Sequence, residues 1–339
     1  MPKSDLKFHS TPFVCPDDLH SLDRFNQETI QHIIQLMGIP DFDTPLNGTV
    51  IYTADDGAFW RKKVRYGHAT DDIVWAWLFV PKELNTPVPA IICLPGSFMT
   101  PNWGKDGPAG LAGPWEPGQP EAYGADLARL GYVTLCPDYP CAGERTSPGL
   151  NAYDTSELTQ RHPTWTRVGL SARDVSRAVD FLLTIPEVDE DRIGCTGWSQ
   201  GGQMTLIGAA LDKRIKAIAS VCGWSPLRGL PDSAIKNLIQ DYNFPLLHPY
   251  ATTPQKLPFD FDHLAALVAP RPYLDIRAKG DVYFPNVDEI NHCISEIGNL
   301  YSKLGKSNHF RSVWVEGKHA FTATAAREVQ AWFYTWFWP

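Results

Sequence analysis

No Cys-x-x-Cys pair, no His/Cys cluster at zinc-ligand spacing and no stretch of roughly 18 consecutive apolar residues occurs in this sequence. The first two absences argue against a structural metal, and the third against a membrane-spanning helix. A clustered basic face is also missing. The densest cations are Arg61-Lys62-Lys63 and Arg65, and in a chain of net charge −8 they read as a solvated strand end, not as a nucleic-acid or anionic-membrane surface. There is neither an internal repeat nor a low-complexity tract. The opening Met1-Pro2-Lys3-Ser4-Asp5-Leu6 has no apolar signal core, so a cytoplasmic location is expected. The seven cysteines fit that expectation. Cys93, Cys136, Cys195 and Cys222 lie in or beside apolar runs that read as central strands, where a free thiol behaves as a small hydrophobe.

What is present is a chain of 339 residues with ample apolar material for one large α/β domain. Residues 1–48 read as an N-terminal helical extension, with a helix around 22–37 ended by Gly38-Ile39-Pro40. Thr49 to Ala54 and Ile73 to Val80 read as an antiparallel pair at a sheet edge. From Pro89 onward, apolar runs alternate with helical ones to the C-terminus, which predicts parallel strands covered by helices on both faces. The total is about eight strands in one large domain over 49–339. Two stretches break the repeat. Residues 102–120 are dense in Gly and Pro, and 224–261 carry six prolines; both read as functional loops, the second as a lid-like insertion.

The most informative stretch is Gly197-Trp198-Ser199-Gln200-Gly201-Gly202, directly after the apolar run Arg192-Ile193-Gly194-Cys195-Thr196. A strand entering Gly-x-Ser-x-Gly and leaving as a helix is a nucleophile elbow. The serine sits at the tip of a sharp, strained turn, and the glycines let neighbouring backbone approach without a Cβ in the way. This nominates Ser199 as the nucleophile.

A serine hydroxyl needs a general base, and the base needs an acid to orient it. In elbow architectures these follow the serine in the order acid, then histidine. His319, in Gly317-Lys318-His319-Ala320-Phe321 at the exit of the last strand, is the candidate base; His292 lies within a helical pattern and His309 precedes a strand at its far end. Asp281, in Gly280-Asp281 after the strand Tyr273 to Ala278, is the candidate acid, with Asp288 as its rival. The oxyanion of a tetrahedral intermediate needs preorganised donors. One is the backbone N–H of Gln200, and the second comes from Ser97 or Phe98 in Leu94-Pro95-Gly96-Ser97-Phe98.

Together these features resemble the α/β-hydrolase superfamily. The residues that carry the resemblance are the elbow, Asp138-Tyr139-Pro140-Cys141-Ala142-Gly143-Glu144-Arg145, the Asp189-x-Asp191-Arg192-Ile193-Gly194 lead-in, Gly280-Asp281 and Gly317-Lys318-His319-Ala320-Phe321. Within it the chain is similar to the dienelactone hydrolase and acetyl xylan esterase-like branch. The resemblance implies a three-layer α/β-hydrolase fold, esterase activity, and Ser199, His319 and Asp281 as nucleophile, base and acid. The Arg-Gly-Gln signature of acetyl xylan esterases is absent, with Arg173-Asp174 and Gly143-Glu144-Arg145 in its neighbourhood. A serine nucleophile, where dienelactone hydrolases use cysteine, favours ordinary ester hydrolysis over lactone opening.

Trp103 and Trp224 in the irregular stretches, with Glu144 and Arg145, are the candidate substrate contacts, each weighed against packing or a structural ion pair. The aromatic end Trp332 to Trp338 reads as helix core or an oligomer contact, which leaves a homo-oligomer open. The expected function is a serine carboxylic-ester hydrolase for small esters, among them acylated carbohydrates, without cofactor. A serine peptidase or amidase would share the triad but need a recognition module, and a non-catalytic binder on this fold would be expected to have lost a triad member.

Overall fold

The computed structural model describes residues 12–16, 19–41, 43–68, 70–97, 104–112, 122–239, 243–253 and 256–338. Helix α1 (Leu19–Leu36) leads into an antiparallel meander of β1 (Thr49–Asp55), β2 (Phe59–Tyr66) and β3 (Val74–Pro81). The chain then runs through β4 (Val88–Leu94), α2 (Tyr123–Arg129), β5 (Val133–Pro137), α3 (Ser156–Arg161), α4 (Arg167–Leu182), β6 (Val188–Trp198) and α5 (Gln200–Leu211). It closes with β7 (Ala217–Val221), α6 (Asp232–Leu238), α7 (Phe261–Val268), β8 (Tyr273–Ala278), α8 (Val287–Lys303), β9 (Phe310–Val315) and α9 (Ala323–Phe337).

The strands form one sheet in the order β1-β2-β3-β5-β4-β6-β7-β8-β9, parallel from β5 to β9 and antiparallel from β1 to β5. Central strands are buried on both faces, so their side chains alternate between two cores. In β4, Ala90, Ile92 and Leu94 join the core under α4, α5 and α7, whereas Ile91 and Cys93 join the core under α2 and α9. This is the three-layer α/β arrangement that the alternating pattern predicts.

The described sheet has nine strands, not eight. The missed one is β2, whose cations Arg61, Lys62, Lys63 and Arg65 read as a solvated end. They are tolerated because the meander supplies partners: Arg61 and Lys63 lie over the rings of Trp77 and Trp75, and Lys63 also pairs with Glu144 at 2.6 Å. β1 therefore pairs with β2, not with the strand at 74–81.

The N-terminal helix is part of the main body, since Ile33 and Met37 are buried in the larger core. The irregular stretch after β7 contains α6 and a 3-10 turn at Pro245–Tyr250, and it is clamped at its base. Arg228 donates to Asp260 at 3.3 Å, to Asp262 at 3.1 Å and to Glu289 at 2.7 Å. The C-terminal aromatics divide: Phe333 and Phe337 are core, and Tyr334 is exposed.

Candidate active site

Strand β6 delivers Ser199 to the carboxyl edge of the sheet, and α5 starts on the next residue. Ser199 adopts φ 55°, ψ −118°, a left-handed conformation that a non-glycine residue pays strain to hold. The turn is kept by its own hydrogen bonds, Ser199 N–H to the Val221 carbonyl at 2.9 Å and Gln203 N–H to the Ser199 carbonyl at 2.9 Å. The glycines are required by contact. A Cβ on Gly201 would stand 2.1 Å from the Leu94 carbonyl oxygen, and one on Gly197 would stand 2.5 Å from the Gly201 carbonyl carbon. The elbow is thus pressed against the end of β4.

Loops after β8 and β9 bring the other two groups to the same edge. His319 Nε2 lies 2.8 Å from Ser199 Oγ, and His319 Nδ1 lies 2.7 Å from Asp281 Oδ2. Asp281 is fixed in turn: its Oδ1 accepts the Tyr283 backbone N–H at 2.9 Å. The loops brace each other through Gly280 N–H to the Gly317 carbonyl at 2.9 Å. The two side chains are mostly buried, whereas Ser199 remains half-buried. The rival acid, Asp288, instead lies in the first turn of α8, exposed.

Three aromatic rings wall the histidine, Tyr283 at 4.8 Å, Trp198 at 5.6 Å and Phe284 at 5.8 Å between centroids. The sequence reading assigned these three no part in the site. Their signal was position alone, since Trp198 precedes the nucleophile and Tyr283-Phe284 follow the acid. Cys222, at the end of β7, lies behind the pair. Among the described residues, Cys222, Asp281 and His319 are the one group of three whose potential ligand atoms fall within 4.8 Å of one another. Two of the three are already engaged with each other, and burial, then the Asp281 charge, pushes the Cys222 thiol up to about 12.

Of the expected oxyanion donors, Gln200 and Ser97 fall within the described residues. Gln200 is buried at the first position of α5, with its N–H beside Ser199 and at the positive end of the helix dipole. Ser97 sits exposed in the loop leaving β4, whose Leu94 pairs in register with Gly197. Phe98 and Trp103 lie outside the described residues.

Trp224, expected to meet substrate, does not. It is fully buried, its indole N–H donates to Tyr273 Oη at 2.6 Å, and Arg277 packs over its ring. A Trp entering a Pro-rich insertion is there a core anchor. Glu144 and Arg145 line a cavity of about 290 Å³ at the carboxyl edge near β3 and β5, but both are engaged. Arg145 binds Asp174 at 2.5 Å and the carbonyls of Asp138 and Asp71, and Glu144 binds Lys105 and Lys63. Each belongs to a structural ion-pair network, and they do not pair with each other.

Known proteins share the fold and the elbow segment. Residues 168–225, from α4 through the elbow to the end of β7, match the acetyl xylan esterase (AXE1) family. Over 265 residues, 77% of this chain and 83% of the relative, the sequence is 26% identical to the proposed hydrolase YtaP of Bacillus subtilis (strain 168). It is 27% identical over 179 residues to the carbohydrate esterase MZ0003 from an unknown prokaryotic organism, covering 50% of this chain and 40% of that protein. The glucuronoyl esterase from Solibacter usitatus superposes with a TM-score of 0.73 at 19% identity, covering 98% of this chain and 99% of its own. The chain has the α/β-hydrolase fold, and its elbow segment is acetyl xylan esterase-like.

Proposed function

We propose that this α/β-hydrolase is a serine carboxylic-ester hydrolase with Ser199 as nucleophile, His319 as base and Asp281 as acid, and that esters of carbohydrates are its substrate class. The observation that carries the reading is the continuous chain Asp281 to His319 to Ser199, with contacts of 2.7 and 2.8 Å, ending on a serine in strained left-handed geometry.

His319 Nε2 accepts the Ser199 proton as Oγ attacks the acyl carbon, and Asp281 holds Nδ1–H and stabilises the imidazolium. The oxyanion is met by the Gln200 N–H and by a backbone N–H of the β4 loop, at Ser97 or Phe98. The imidazolium then returns its proton to the departing alkoxide, leaving an acyl-Ser199. Water attacks the acyl carbon, giving its proton to His319, and Ser199 leaves as a hydroxyl when His319 gives that proton back. The carbohydrate substrate class draws support from the names of the esterases above and from the exposed Tyr283 ring beside His319, a surface on which a sugar face can stack.

Hydrolysis of p-nitrophenyl acetate, butyrate and octanoate, followed by acetylated and uronate-esterified oligosaccharides, tests the reading. The expected outcome is activity that falls at least about a thousandfold in Ser199→Ala with unchanged thermal stability. A wild type silent on every ester would overturn it and bring peptide or amide substrates forward, whereas a fully active Ser199→Ala would remove Ser199 as the nucleophile.

A further inference from the structure

We infer that Arg167 is a positioning residue for the reaction, acting through the side chain of Gln200 to hold the oxyanion-binding N–H in place. This inference rests on the esterase reading above. Arg167 opens α4, is 1% exposed and stacks its guanidinium 4.4 Å over the ring of Tyr153. It points at the residue that follows the nucleophile. With the Gln200 amide oxygen turned toward the guanidinium, the orientation its hydrogen bonds select, that oxygen accepts from Arg167 Nη2 at 2.5 Å and Nη1 at 2.8 Å. Nη2 also donates to Asn243 Oδ1 at 2.7 Å, in the insertion that follows β7.

The anchor itself is rigid. Thr166 caps α4, its side-chain oxygen accepting from Gly169 N–H at 2.9 Å and donating to the Met37 carbonyl at the end of the N-terminal helix. A Cβ on Gly169 would stand 2.3 Å from the Met37 and Gly38 carbonyls, so that joint is in tight contact. Gln200 needs such support. Its backbone follows a strained residue, and a clamp on its side chain adds to the backbone hydrogen bonds that hold the turn and so fix the direction of its N–H. A two-point, charge-assisted clamp on a buried carboxamide leaves that side chain little freedom. The role is therefore exerted on the transition state, where the oxyanion forms, and not on ground-state binding.

The test compares Arg167→Met, Arg167→Lys and Gln200→Met with wild type, and adds the Arg167→Met/Gln200→Met double variant. Gln200→Met keeps the backbone N–H and removes only the clamped amide. Loss of one oxyanion donor costs about 100- to 1000-fold, and a misaimed one less, so kcat should fall roughly 10- to 100-fold in Arg167→Met and in Gln200→Met. KM should stay within about twofold, affinity for a boronic-acid transition-state mimic should fall by the same factor as kcat, and Arg167→Lys should recover part of the loss. The double variant should be no worse than the worse single, since one clamp is lost only once. An unchanged kcat in Gln200→Met, or losses that multiply in the double variant, overturns the inference. A merely structural role would lower the melting temperature without moving the affinity for the mimic. Where Arg167→Met does not fold, Gln200→Met and Arg167→Lys carry the same comparison. Labelling of Ser199 by a fluorophosphonate separates the two readings. A wild type inert to both esters and label overturns both, whereas Gln200→Met labelled at the wild-type rate overturns the Arg167 role alone.

Discussion

Two stretches of the same sheet edge carry polar side chains, and they are built on opposite plans. Near β3 and β5 the charges form a closed network. Lys105, 4% exposed, binds Asp138 at 3.0 Å and Glu144 at 2.5 Å, and Lys63 takes the second Glu144 oxygen at 2.6 Å. Asp138 also accepts the backbone N–H groups of Lys105 at 2.8 Å and Glu144 at 3.0 Å. Near β6, β8 and β9 the polar groups form a line with an open end. Asp281 supports His319, His319 supports Ser199, and Ser199 is itself only half-buried. In the network the charges are engaged with one another and with backbone N–H groups, which holds loops together. In the line, His319 is held by Asp281 at Nδ1 and meets Ser199 at Nε2, so a proton can pass between Ser199 Oγ and His319 Nε2. Charge density alone does not mark a catalytic edge; an unfinished chain of hydrogen bonds does.

The comparison predicts that the two stretches fail differently, and the largest stability effect belongs to the network. Burial pushes the Asp138 carboxyl up even with Lys105 beside it, whereas the Lys105 ammonium is held above its usual range because its carboxylate neighbours outweigh burial. Removing one partner strands the other charge, so Lys105→Met should cost about 3–5 kcal/mol of stability. Its kcat per folded molecule should match wild type. Denaturant unfolding beside active-site titration measures both, and a variant that stays stable but loses kcat would erase the contrast. Ser199→Ala should give the mirror image, inactive and as stable as wild type.

A smaller effect concerns the cysteine nearest the line. Burial, then the Asp281 charge, holds Cys222 near 12, and burial holds Cys195 near 12 as well. These thiols stay protonated at neutral pH and are poor nucleophiles there. Iodoacetamide at pH 8 should therefore leave ester hydrolysis intact, and inactivation with label on Cys222 would give the cysteine a part in the chemistry. The sign of the linkage follows from raised folded values. The thiols' contribution to stability is complete below the unfolded thiol value of about 8.5 and is lost as pH rises from there toward 12. The melting temperature should decline over that window, with a shallower slope in Cys195→Ala. The raised phenols of Tyr66, Tyr139 and Tyr273 steepen the same decline above about 10.

Much of this was legible in the sequence, for reasons of local physics. The elbow could be read because strand, glycine spacing and helix are contiguous, and Asp281 and His319 because parallel strands deliver their exit loops to one edge. What stayed hidden was set by partners remote in sequence. Strand β2 looked like a solvated end because the tryptophans that accept its cations lie in the next strand, at 75 and 77. Trp224 looked like a substrate platform because nothing near it in sequence announces the Tyr273 hydroxyl that binds its N–H. Arg167 drew no notice, since its bond to Gln200 joins the first residues of two different helices.

The smallest predicted effect decides whether Glu144 belongs wholly to the network. Its carboxyl is partly exposed; burial raises it, but Lys105 and Lys63 outweigh that and hold it below its usual range. A pair so open to solvent contributes about 0.2–1 kcal/mol, and Asp138 still neutralises Lys105 when the Glu144 charge is gone. Glu144→Gln should therefore cost at most about 1 kcal/mol, an order that a urea midpoint resolves. The stability it does contribute is present above the unfolded glutamate value of about 4.3 and is lost as pH falls through its lower folded value, so wild type and variant should converge in acid. Because Glu144 also lines the 290 Å³ cavity at the carboxyl edge of the sheet, the same variant is assayed with a small p-nitrophenyl ester and with an acetylated oligosaccharide. Equal KM values for wild type and variant on both substrates confine Glu144 to holding the loop. A KM raised several-fold for the oligosaccharide alone would mean that the network has one open bond after all, directed at the sugar.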